Sequence, residues 1–361
     1  TGDSSRFERI LPILRRYFSW IKKNRRWENN GLYWFEDSNS SGMDNAPRGG
    51  WINPILDGND ICYIDLACQQ ALSAHYLAKI ASFLGEEKTA ADFVQEYEEL
   101  KVLINESHWS EKVGFYFDIF SSNTKNYCNN FVNHKTIAGF WPLIAGVASE
   151  KQAKRLLEHL LDPTEFNTPH PVPTLSKDDP NYEPLGVYWR GGVWAPTNYM
   201  VVRGLKRYKK LPWAREIAIK HLAGIYKVLT DPAYGSIWEC YAPDYDQPAL
   251  GAHGELVRPN FVGWTGLGPI AMILECVFGM EFDAGKNCIT WVIGTEGRHG
   301  IENLNFNGQR VSLICKGKSL TQGETVIDVQ TSGKLKLKLS LMGQSFSREV
   351  YLESGNHNIR I

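Results

Sequence analysis

Two acidic positions stand among residue types that suit work on a polar, ring-shaped substrate. Asp44 lies in "DSNSSGMDNAPRGGWINPILDGND" (37–60), four residues before Arg48 and seven before Trp51. Glu239 lies in "YGSIWECYAPDYDQP" (234–248). A carboxyl group beside an indole can donate or accept a proton while the ring packs on the apolar face of a substrate. Two further loops share this mixture of charge, aromatic rings, Gly and Pro: "DDPNYEPLGVYWRGGVWAPTNYMVVRGL" (178–205) and "RPNFVGWTGLGPI" (258–270). Taken singly each has a plain explanation. Asp44 can cap a turn or pair with Arg48, Glu239 can be one surface charge, and surface carboxylates are abundant. The rival carboxylates are Glu36, Asp37, Asp60, Asp65, Glu183, Asp244, Asp246 and Glu255.

The whole chain narrows the field. It has 361 residues, long enough for a large core and for two domains. Lys plus Arg number 39 against 40 Asp plus Glu. A net charge of −1 argues against nucleic acid or an anionic membrane as the main partner. No apolar run reaches the length of a membrane span. The opening TGDSSRFERI lacks an initiator Met and a signal-like apolar stretch. It reads as truncated or processed and leaves the cellular address unknown. Seven scattered Cys without a CxxC pair read as small buried hydrophobes, and the scattered His lack zinc-ligand spacing. "DGND" (57–60) lacks the spacing of a calcium loop. No metal and no cofactor is expected. Aromatic residues reach 12 %, with twelve Trp, many beside Gly and Asp in loops. That is the composition of a sugar-stacking pocket as well as of a large helical core.

The elements that must hold these loops are mostly helices. Apolar residues recur at helical spacing in 5–23, 61–84 (stopping at Gly85), about 86–106, 135–147, 149–161, 192–209, 212–230 and 263–279. Consecutive pairs joined by short turns and long loops describe α-hairpins side by side. From about 283 the pattern changes: "CITWVIG", "RVSLICKG", "TVIDVQT" and "KLKLKLSL" alternate apolar and polar residues. That predicts an antiparallel β-sandwich. The expected domains are 1–282 and 283–361.

"SGMDNAPR" (41–48), "YWRGGVWAPTNYMVVRGL" (188–205), "WECYAP" (238–243) and "FVGWTGLGPI" (261–270) occur in this order. Together they resemble the motif series of the six-hairpin glycosidases of the trehalase clan, glycoside hydrolase families 37 and 63. The Gly-Met-Asp-Asn-x-Pro-Arg form is similar to the family 63 side, with its mannosylglycerate hydrolases and the processing α-glucosidase. The resemblance implies a mainly α chain with an (α/α)6 barrel, here followed by the sandwich. It implies inverting hydrolysis of an α-linked glucoside or mannoside, with Asp44 as general acid and Glu239 as general base. Trp34, Asn45, Arg48, Trp51, Tyr188, Trp189, Arg190, Trp194 and Trp264 are the expected substrate-binding residues, with core packing open as the other role of Trp194. Burial by Trp34, Phe35 and Trp51 is expected to favour the protonated form of Asp44. Arg48 would oppose it on direct contact, and so is expected to point at the substrate or at another carboxylate. About eight helices are legible where a full barrel has twelve, so an N-terminal segment is expected to complete it. An α,α-trehalase and a non-catalytic carbohydrate-binding relative are the alternatives.

Overall fold

The computed structural model describes residues 5–36, 39–48, 61–120, 131–318, 324–345 and 347–361, with the side chain of residue 318 excepted. Trp51, Asp37, Asp60 and the 57–60 segment lie outside the described residues. The chain divides into two compact units, one of residues 6–268 and one dominated by residues 269–361.

Eight α-helices are described: α1 (Ser5–Asn24), α2 (Ile64–Phe83), α3 (Glu87–Ser107), α4 (Trp141–Ala145), α5 (Glu150–Leu161), α6 (Ala195–Arg207), α7 (Leu211–Thr230) and α8 (Trp264–Met272). All eight stretches read from apolar spacing contain one, but the fourth is shorter than its pattern suggested. Residues Ile137–Phe140 form a 3-10 turn, and the α-helix begins only at Trp141. Pro142 explains this, since a residue without an N–H belongs in the first helical turn. Gly85 adopts φ 76° just after α2, the left-handed geometry that ends a helix without a Cβ clash. A Ser149–Gln152 capping box starts α5.

The apolar residues dictate how these helices stack. α2 packs against both α3 and α4, α4 against α6, and α6 against α7. α2 buries Ile64, Leu66, Ala67, Cys68, Ala71, Ala74, Leu77, Ala78 and Ala81, which cover more than one face. α3 buries a narrower stripe that includes Ala90, Tyr97, Leu100 and Ile104. The helices therefore pack in the order α3–α2–α4–α6–α7. Two short pairings link this helical unit's loops. β1 (Ile61–Cys62) pairs with β4 (Ile119–Phe120), and β2 (Trp109–Ser110) with β3 (Phe115–Tyr116).

The second unit holds β5 (Met280–Asp283), β6 (Cys288–Ile293), β7 (His299–Phe306), β8 (Gln309–Lys318), β9 (Thr325–Thr331), β10 (Leu335–Leu341), β11 (Ser347–Leu352) and β12 (Gly355–Arg360). They form two four-stranded sheets, β11-β10-β6-β5 and β12-β9-β8-β7. The pairings are antiparallel with one correction to the expectation: β6 and β10 run parallel. The chain leaves the first sheet after β6, forms β7–β9 in the second, and returns to lie beside β6 in the same direction. Alternation works as the sequence suggests. Leu335, Leu337 and Leu339 enter a core with Ile289, Trp291, Val311, Leu313, Ile327 and Val329, drawn from both sheets. Lys336, on the other face, pairs with Glu349 at 2.7 Å.

Candidate active site

The loop of Asp44 is pinned on both sides. After a 3-10 turn at Asn39–Ser41, residues 43–48 are all buried except Asp44, which is partly exposed. Arg48 secures one side. It is fully buried, and its five N–H groups reach Asp118 (2.7 and 2.8 Å), Asp65 (2.7 and 2.9 Å) and the Met43 sulfur (3.0 Å). The guanidinium also lies 4.9 Å from the Tyr63 ring centroid. Asp65 is in the first turn of α2, and Asp118 also accepts the N–H of Ile64, so the loop is bound to the start of α2. Of the two roles open for Arg48, pairing with other carboxylates is the one it fills. Its donors are spent and do not reach Asp44.

Asn45 secures the other side. It is 1 % exposed, donates to the Val187 carbonyl at 3.1 Å and accepts from the Trp189 N–H at 2.8 Å. Those two bonds bracket Tyr188. The Tyr188 hydroxyl in turn donates to Glu239 Oε1 at 3.2 Å. Glu239 is 7 % exposed and is held by its backbone, its N–H on the Arg258 carbonyl (2.9 Å) and its carbonyl accepting from Thr265 (3.0 Å). Residues far apart in sequence, Asp44 and Glu239, are thus tied to one turn.

That turn needs its glycines. Gly192 donates its N–H to the Tyr188 carbonyl at 3.0 Å, and a Cβ at 192 would sit 2.2 Å from that oxygen. The "RGG" pair therefore permits a close backbone approach that no other residue allows.

Charge follows burial. Desolvation raises the Asp44 carboxyl above the ordinary Asp range, opposed in part by a hydrogen bond from its own backbone N–H. Burial first, then the charge of Glu239, then that of Asp44, hold the Tyr188 phenol neutral as a donor.

The aromatic residues separate into groups. Trp189 stacks on Trp194 at 4.4 Å, Tyr188 meets Trp194 edge-on at 5.0 Å, and Trp264 lies 6.0 Å from Trp194. Trp194 is 1 % exposed, so core packing is what it does, while Trp264 is about half exposed. Arg190 donates to Glu183 Oε1 at 3.0 Å and to the Asn181 carbonyl at 3.1 Å. Trp34 belongs to another cluster, under the Arg25 guanidinium and beside Trp27. Several rival carboxylates have cation partners: Glu36 with Arg25, Asp244 with Lys177, and Asp246 with Lys227. Asp118 was the residue missed. Its signal was present in "FYFDIF", since a lone acid in an aromatic run is buried and must find a partner.

Similarity to known proteins adds an independent line. Residues 1–255 match the family described as the mannosylglycerate hydrolase MGH1-like glycoside hydrolase domain. An uncharacterized protein of Borreliella burgdorferi is 31% identical over 323 residues, covering 88% of this chain and 65% of that protein. A probable mannosyl-oligosaccharide glucosidase of Schizosaccharomyces pombe is 24% identical over 283 residues, covering 72% of this chain and 33% of the relative. The chain thus spans about two thirds of one relative and one third of the other. Among solved structures, a GH63 mannosylglycerate hydrolase from Thermus thermophilus in complex with glucose has a similar fold. Its TM-score is 0.59 at 22% identity, covering 74% of this chain and 68% of that one.

Proposed function

The chain belongs to the mannosylglycerate hydrolase MGH1-like glycoside hydrolase family, and on that premise we propose that it is an inverting hydrolase of an α-linked glucoside or mannoside. The observation that carries this reading is the Tyr188 turn, which bonds Glu239 through its hydroxyl and the Asp44 loop through Asn45. Asp44 is the general acid. Its desolvated carboxyl gives a proton to the glycosidic oxygen as the bond from that oxygen to the anomeric carbon breaks. Glu239 is the general base. It takes a proton from a water whose oxygen bonds to the anomeric carbon from the opposite face, inverting its configuration. Such a pair works with carboxyls roughly 6.5–9.5 Å apart, leaving room for the water. Trp189 and Trp264 would offer rings to the sugar.

We read α1–α8 as part of an (α/α)6 barrel whose inner row includes α2, α4 and α6, with residues 1–282 as the catalytic region. The two sheets, which begin with β5 at Met280, would then be the β-sandwich expected from about 283. Exposed apolar side chains support a need for further helices: Ile13, Tyr17 and Trp20 on α1, Tyr76 and Phe83 on α2, Leu267 and Ile270 on α8. An N-terminal segment is the proposed cover. No described helix is long and apolar enough to cross a membrane, and an oligosaccharide or small glycoside is the proposed partner.

The test is sugar release from a panel of α-glucosides and α-mannosides, trehalose and mannosylglycerate included, by the parent chain and by Asp44→Asn. Release that falls at least about a hundredfold in the variant supports the assignment. Preferential release from trehalose selects the trehalase alternative. Saturable sugar binding without turnover selects the non-catalytic one.

A further inference from the structure

We propose that Tyr188 is a positioning residue that orients Glu239 for proton abstraction while its backbone fixes the loop of Asp44, so that acid and base are set by one turn. The inference rests on the assignment of Glu239 as the base.

The backbone makes the first part of the case. Tyr188 has φ 55°, a left-handed conformation that is strained for a bulky side chain. Its surroundings enforce that conformation. The N–H donates to the Leu250 carbonyl at 2.8 Å, and the carbonyl accepts from Gly192 at 3.0 Å. The two neighbouring peptide groups are held by Asn45. A tyrosine that only filled the core would need none of this. In this conformation the hydroxyl reaches Glu239 Oε1 at 3.2 Å.

The side chain makes the second part. Its ring is set edge-on against Trp194 at 5.0 Å and Trp189 at 6.3 Å, which restricts rotation. A neutral phenol in that place can only donate to a carboxylate oxygen. Donation favours the charged form of the acceptor and leaves the second oxygen for water. The same turn holds Asn45, the neighbour of Asp44, through the Val187 carbonyl and the Trp189 N–H, so a shift of Tyr188 would reach both groups.

The experiment compares pH profiles of kcat and kcat/KM on one α-glycoside that the parent chain hydrolyses. Tyr188→Phe removes the donor with little change of shape. It should move the acidic limb of kcat/KM upward by about one pH unit, with the loss falling on kcat more than on KM. Site-specific 3-fluorotyrosine at 188 is a stronger donor of nearly the same size and should move that limb downward. A limb that stays in place in both variants overturns the proposal. So does an effect confined to KM, which would make Tyr188 a sugar contact. A parent chain without hydrolysis, or hydrolysis that survives Glu239→Gln, overturns the assignment of the base and this proposal with it.

Discussion

The two units bury different things. The sheets of the second unit enclose Leu335, Leu337, Leu339, Trp291, Val311 and their neighbours, an apolar core that needs only alternation to form. The helical unit encloses Arg48, Asp65, Asp118, Asn45, His108, His170, His221 and Glu239 as well as its hydrocarbon. Burying those groups costs free energy unless each finds a partner, so a region that does so is constrained by more than stability. In this chain the constraint concentrates around Asp44. Its neighbours are immobilised, and it alone of residues 43–48 keeps access to solvent.

The contrast can be broken by mutation, most severely at the proposed acid and base. Glu239→Gln and Asp44→Asn should each lower kcat by about 10²–10⁴, measured on a released sugar, while the chain stays folded. For Asp44 the stability effect has a definite sign. A carboxyl whose native pKa is raised costs stability above that pKa and costs nothing below the unfolded value near 4. Asp44→Asn should therefore match or exceed the parent unfolding temperature at pH 7, and the difference should vanish below about pH 4. A marked loss of stability would return Asp44 to a structural role.

Next in size are two core substitutions. Arg48→Met leaves two buried carboxylates facing each other and should cost about 3–5 kcal/mol in denaturant unfolding, with activity falling as the Asp44 loop loosens. Leu337→Ala in the sheets should cost about 2–5 kcal/mol by opening a cavity, with kcat unchanged in the protein that remains folded. Equal effects on kcat from both would erase the distinction between the units.

The smallest effect concerns pH. His170 and His221 are both buried, with Nε2 of one 2.9 Å from Nδ1 of the other. Desolvation holds His170 well below its ordinary value and takes His221 down to about 3. Both stay neutral in the fold, whereas the unfolded chain takes up protons below about pH 6.5. Their contribution is whole above that pH and is lost as pH falls. His221→Gln should make the decline of stability from pH 6 to pH 4.5 shallower by about 1.4 kcal/mol per pH unit.

Much of this was legible in the residues, because the relevant signals are local. The helices follow from apolar spacing and the C-terminal strands from alternation, with "KLKLKLSL" giving the clearest register. Asn45 and Tyr188 were singled out by their motifs. What spacing does not contain is partner choice. Nothing near Arg48 in sequence says that its guanidinium will be shared by Asp65 and Asp118, because those meet only when α2 and the β3–β4 segment pack together. The parallel β6–β10 pair was hidden for the same reason, since direction depends on a path through another sheet. The buried His pair joins residues of one helix and one distant loop, and neither carried a signal alone.

The central claim is that Asp44 and Glu239 act from opposite faces of a glycosidic bond, and proton NMR of the sugar at the moment of release tests it most directly. The account predicts that an α-linked substrate first yields the β-anomer, which then mutarotates. First appearance of the α-anomer would mean retention, and would contradict it.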